Sequence, residues 1–119
     1  MFEDVSKWLD SIMLEGISEG EGVCFNLYED GGDNWSMDIE VSEKYDPDDD
    51  DWACDPIYNS DEVFTWKQDD EWDEVLEDMI QILLKYMNEG KYADQLKENY
   101  KAIAVGFVDG DLELLYEQE

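Results

Sequence analysis

The chain has 119 residues, enough for one domain with a single modest core. Apolar residues make up 43% of it and aromatics 13%, with five Trp and seven Tyr, which excludes an intrinsically disordered chain. The charge is −28, from 35 Asp and Glu against 7 basic residues, all of them Lys, with no His. A potential of this sign makes nucleic acid and anionic membrane poor partners, and a basic protein surface the natural complement.

The opening MFEDVSKW has no basic segment followed by an apolar one, so no signal peptide is read there. No apolar run is long enough to span a bilayer. The expected location is the cytoplasm, where Cys24 and Cys54 are reduced thiols; in a secreted domain the same pair could close a disulfide.

Residues 2–17 carry Val5, Trp8, Leu9, Ile12, Met13 and Ile17 at three- and four-residue spacing, which predicts a helix with one buried stripe. Gly16 and Gly20 terminate it. Then GVCFNLY and WSMDIEVS alternate apolar with polar residues around the turn EDGGDN, predicting an antiparallel hairpin. Parity favours pairing Leu27 with Trp35, Phe25 with Met37 and Val23 with Ile39 through a loop longer than Gly31-Gly32. That leaves the opposite face polar and acidic, and free if the helices pack on one side only.

The run DPDDDDWACD follows. WACDPIYN and EVFTW read as a third and fourth strand, with Pro56 suited to an edge or a strand end. Residues 69–88 give the strongest helical pattern, with Trp72, Val75, Leu76, Met79, Ile80, Leu83 and Met87 on one face. Asp69, Asp70, Glu71, Asp73 and Glu74 crowd its start, where the helix dipole favours anions, and Gly90 suits its C-cap. A short helix is expected over 91–100. At the end, Asp109-Gly110 predicts a tight hairpin pairing Phe107 with Leu112, Val105 with Leu114 and Ile103 with Tyr116. Ala102, Ala104 and Gly106 line the other face, small enough for close approach by a neighbour. The expected fold is a single α+β domain over 1–119, with an antiparallel sheet of five to six strands, an N-terminal helix, a long amphipathic helix and a C-terminal hairpin.

Catalytic chemistry finds little support. The chain lacks His, the usual group titrating near neutrality, so a Cys nucleophile would lack an imidazole base. No phosphate-cradling glycine loop or nucleophile elbow occurs. Among 35 carboxylates, some pair always lies at a catalytic spacing, so that signal identifies nothing. Asp46, Asp48 and Asp50 match positions 1, 3 and 5 of a calcium loop, but Asp51 stands where the turn needs Gly and Ile57 where Glu should close the site. No cofactor and no dedicated metal site are expected, and the chain is read as non-enzymatic.

The acidic run is a solvated loop on the bland reading. Its position inside the domain, and its flanking Tyr45 and Trp52, favour an interface: an aromatic anchor among carboxylates fits a Lys- and Arg-lined groove. The candidate partner-binding residues are Tyr45, Asp46, Asp48, Asp49, Asp50, Asp51 and Trp52. Asp38 and Glu40 on the hairpin join them, and Asp70, Asp73 and Glu74 at the start of the long helix are further candidates.

Through EDGGDNWSMDIEV, DDDDWACDPIY and the terminal GFVDGDLELLYE, with the amphipathic helix between the last two, the chain resembles the small acidic immunity proteins of bacterial polymorphic-toxin systems. That resemblance implies an antitoxin that binds a cognate toxin domain and blocks its active site or substrate channel, the toxin being basic where it cuts nucleic acid. Two other readings stand beside it. A DNA mimic would set carboxylates along a ridge like phosphates, and a divalent-cation binder would use the acidic run weakly.

Overall fold

The computed structural model describes residues 2–46, 48, 56–60, 63–107 and 112–117. Helix α1, Phe2–Glu15, buries Val5, Trp8, Leu9, Ile12 and Met13, the stripe its spacing predicts. It stops at Gly16, whose φ of +93° is open to glycine and strained for other residues, and whose N–H closes the last turn onto the Ile12 carbonyl at 3.0 Å. Ile17 falls beyond the helix and packs half-buried against the core.

Strands β1, Gly22–Gly31, and β2, Asn34–Ser42, form the expected hairpin in a different register. Leu27 faces Met37, Phe25 faces Ile39 and Val23 faces Val41. The shift is two residues, so every side chain keeps its predicted face. The turn is tight, and a bulge between Glu29 and Gly31 supplies the extra residue that restores parity. Gly31 and Gly32 both take positive φ there.

Strands β3, Pro56–Asn59, and β4, Phe64–Lys67, lie along the same edge of β2, β3 beside Glu40–Ser42 and β4 beside Asn34–Met37. Val41 faces Tyr58 while Met37 faces Phe64, so the edge absorbs two extra residues between them. Ser60 bridges the break: its N–H donates to the Ile39 carbonyl at 2.9 Å, and its Oγ accepts from the Ile39 N–H at 3.1 Å.

Helix α2, Trp72–Glu89, then crosses the sheet and buries Val75, Met79, Leu83, Tyr86 and Met87. Gly90 caps it, with its N–H on the Tyr86 carbonyl at 2.7 Å. Helix α3, Ala93–Asn99, leads into β5, Ala102–Phe107, and β6, Glu113–Glu117, follows. The sheet runs β3-β2-β1-β5-β6, with β4 also on β2.

The fold is α+β, and the sheet is mixed rather than wholly antiparallel, because β5 runs parallel to β1 from Gly22 opposite Ala102 to Leu27 opposite Phe107. The helical return between β4 and β5 makes this possible, since parallel neighbours need a long crossover. In the last hairpin Ile103 faces Tyr116 as expected, but a bulge puts Leu114 opposite Ala104 and Glu113 opposite Val105. The Asp109-Gly110 turn lies outside the described residues; the expected Phe107–Leu112 pair is not among the described β5–β6 partners, and Leu112 packs against Cys24 and Ala104 instead.

The helices cover one sheet face, joining Phe25, Leu27, Met37, Ile39, Ile103 and Val105 to Val5, Leu9, Met79 and Leu83. The other face is not free, which corrects the expectation of an open acidic surface. Cys24, Asn26, Ser36, Asp38 and Ser42 are buried on it, and Tyr45 and Leu112 pack onto Cys24 and Ala104.

Candidate partner-binding surface

The surface begins where β4 hands over to α2. Gln68 sits there, half-buried. Its backbone carbonyl accepts from the Trp35 indole N–H at 2.9 Å, and its backbone N–H donates to the Asp33 carbonyl at 2.9 Å. Its side-chain Oε1 accepts from the Trp66 indole N–H at 3.0 Å, while Nε2 donates to Asp70 Oδ2 and Asp78 Oδ2, both at 2.8 Å. An indole can only donate and a carboxylate only accept, so the amide has one orientation that satisfies all three. Gln68 thereby fixes two carboxylates of the acidic face to the aromatic core. Sequence reasoning passed it over, since nothing local distinguishes it from a surface glutamine.

Asp73, Glu74, Glu77 and Asp78 on the first turns of α2, with Asp70 just before its N-cap, line one open hollow. The four helical residues share one face by their three- and four-residue spacing, and Asp70 joins them through Gln68. Beyond Asp78 the groove continues past Lys67, Gln68, Gln81 and Ile82. The hydrogen bond and charge of Asp70, with Asp73 and Asp78 nearby, hold the Glu74 carboxyl above the usual carboxylate range. Glu71 at the N-cap makes no side-chain cap; Asp73 Oδ1 instead accepts from the Glu74 N–H at 3.1 Å, helping to satisfy one donor of the first turn.

Beside this face stands Trp72, 56% exposed. The sequence places it on the apolar stripe of α2, but as the first residue of the helix it overhangs the sheet. Its ring meets Phe107 edge to face, with centroids 6.1 Å apart, and Phe107 in turn meets the buried Trp35 at 5.8 Å.

The residues predicted from the hairpin lie elsewhere. Asp38 is only 6% exposed: its carboxylate accepts from the Asn26 amide at 3.2 Å, the Tyr28 hydroxyl at 2.9 Å and the Asn59 amide at 3.3 Å. Burial first, then this bond to Asp38, pushes the Tyr28 phenol far above its ordinary range. Glu40, half-buried, accepts from the same Asn59 amide at 3.3 Å. This group sits on the β3 end of β2, away from the β4 end where Gln68 and α2 gather the larger cluster.

Tyr45 is half-buried and pins the start of the acidic run: its N–H donates to Glu21 Oε1 at 3.1 Å and its hydroxyl donates to Glu117. Asp46 and Asp48 are exposed, and Asp46 Oδ1 accepts from the Asp48 N–H at 2.9 Å. Asp49, Asp50, Asp51, Trp52 and Cys54 lie outside the described residues. Cys24 is buried, with its thiol donating to Asn26 Oδ1 at 3.4 Å.

Cations do little to neutralise this surface. Among the described residues the one ion pair joins Lys101 to Glu21. Lys85 instead lies 4.4 Å above the Phe2 ring and Lys91 5.5 Å from that of Tyr92. No group of three or more Cys, Asp and Glu among the described residues is placed to hold a metal ion. Nor is any helix among them long and apolar enough to cross a membrane.

Comparison with protein-family models, with curated proteins and with solved structures gave no match.

Proposed function

We propose that the chain is a non-enzymatic immunity protein, an antitoxin that occludes a basic toxin domain, preferentially a nuclease, through its acidic surface. The carrying observation is the carboxylate cluster at the start of α2, where Asp70, Asp73, Glu74, Glu77 and Asp78 meet with no Lys pairing any of them among the described residues. Like charges held this closely cost stability in the isolated protein, and a cationic partner removes that cost on binding. The fixed position of Asp70 and Asp78 on Gln68 lowers the ordering a partner must impose. Asp46 and Asp48 at the entrance to the aspartate run add to the same field.

A DNA mimic would need a long double ridge of carboxylates. The helical carboxylates here, Asp73, Glu74, Glu77 and Asp78, extend for only about 8 Å at the rise of a helix, with Asp70 just before them. A compact patch suits the plugging of one basic channel better than the imitation of a duplex.

Inhibition tests the proposal. The purified chain, titrated against a basic nuclease toxin domain found by pull-down from its source, should abolish cleavage at a one-to-one ratio, with an association rate that falls steeply as salt rises. Changing Asp48, Asp49, Asp50 and Asp51 together to Asn should slow that association much more than it disturbs the fold. Cleavage that persists in excess chain rejects the reading.

A further inference from the structure

We propose that the exposed face of Trp72 is the anchor of the interface, and that it receives an arginine side chain of the partner. The inference rests on the reading of a basic partner and goes beyond it to a residue and a ligand chemistry. Large apolar side chains are exposed at six described positions, Leu14, Ile57, Val63, Trp72, Leu84 and Leu114, and only Trp72 offers an aromatic face. That face is held in place. Phe107 meets it at an interplanar angle of 89°, and Phe107 is itself fixed by Trp35, whose indole is tied to the Gln68 carbonyl.

Asp70 lies two residues before Trp72 and Asp73 directly after it, both exposed, with Asp70 anchored by Gln68 and Asp73 Oδ1 accepting from the Glu74 N–H. An exposed ring held by Phe107, with anchored carboxylates one and two residues away along the chain, selects a cation that can do two things at once. It must lie flat on an indole, and it must donate paired N–H groups to a carboxylate at its edge. A guanidinium does both, while an ammonium is a compact, strongly hydrated point charge. The apolar area of Trp72 still open to water would be covered in the same step, as at the aromatic centres of other protein interfaces.

The test uses the full chain labelled with 15N at its Trp indoles, the Trp72 resonance being assigned by its loss in Trp72→Phe. It is titrated with an arginine-rich decapeptide and a lysine-rich decapeptide of equal charge. The expected result is a salt-sensitive shift of the Trp72 indole that is larger with the arginine peptide. Trp72→Leu, which keeps apolar bulk and removes the π face, should weaken the arginine peptide by about tenfold while the far-ultraviolet circular dichroism of the fold is retained. If the arginine peptide binds wild type and Trp72→Leu equally and leaves the Trp72 resonance still, the anchor is wrong while the basic-partner reading stands. If neither peptide binds at low salt, the basic-partner reading falls and takes the anchor with it.

Discussion

Asp38 and Glu74 are two acidic residues in opposite circumstances. Asp38 is enclosed, and three donors from two neighbouring strands, Asn26 and Tyr28 on β1 and Asn59 on β3, converge on it. A carboxylate withdrawn from water loses several kcal/mol of hydration, recovered only if its oxygens are fully engaged. Glu74 is exposed and meets further carboxylates instead of donors. The first is a structural rivet and the second an unpaired charge available to a partner. Asp38→Ala should therefore cost about 2–3 kcal/mol, because it strands the Asn26 and Tyr28 donors in a buried place. Urea unfolding followed by far-ultraviolet circular dichroism measures this, and a midpoint within error of wild type would show that the network contributes nothing. The sequence pointed Asp38 at solvent because alternation assigns it to the face opposite the core. Alternation tells which face a residue takes and says nothing about whether Tyr45 and Leu112 will cover that face.

At the scale of elements, periodicity located all three helices and the six described strands within a few residues, since each amphipathic stripe is a local pattern. What it missed was relational. The tight turn and the one-residue bulge at Glu29–Gly31 together set the register two residues from the expected one, and a shift of two leaves the alternation unchanged, so the pattern is blind to it. The parallel pairing of β5 had a signal, because AIAVGF is almost continuously apolar, as befits a strand covered on both faces. The acidic start of α2 was legible too, whereas Gln68, which assembles it, depends on Trp66 and Asp78 arriving from two elements. Close approach is a further relation invisible in sequence. A Cβ built on Gly20 would sit 2.6 Å from both the Ser42 carbonyl oxygen and Val41 Cγ1, where Glu21 N–H already bonds that carbonyl at 2.9 Å. Gly20→Ala should then destabilise by about 1–3 kcal/mol, as overpacked sites do, by prying α1 from the β1–β2 edge. A thermal melt decides it, and an unchanged or raised midpoint would mean the backbone yields there at no cost.

For the molecule as a whole, a net charge of −28 makes the folded state a concentration of like charge, so screening or neutralising carboxylates should favour folding over a range where most proteins weaken. The signs differ between two sites. Glu74 has a raised carboxyl pKa in the fold, from its hydrogen bond with Asp70, so folding takes up protons there, and its contribution to stability grows as the pH falls through the raised value towards the ordinary one. Glu21 is lowered, chiefly by its hydrogen bond to Lys101, so its contribution is present at neutral pH and fades only below the ordinary carboxylate range. Between the two lies a window of mild acidity in which repulsion is relieved and the Glu21–Lys101 pair survives. The melting temperature should rise from pH 7 to about pH 5 and should rise with salt between low and physiological strength at pH 7, with a smaller salt increment at pH 5 because less repulsion is left to screen. Calorimetric melts at the four combinations of pH and salt separate the effects. A melting temperature that fell on either change from the pH 7, low-salt condition would mean that the carboxylates are already balanced within the fold, and with that the physical reason for a cationic partner would disappear.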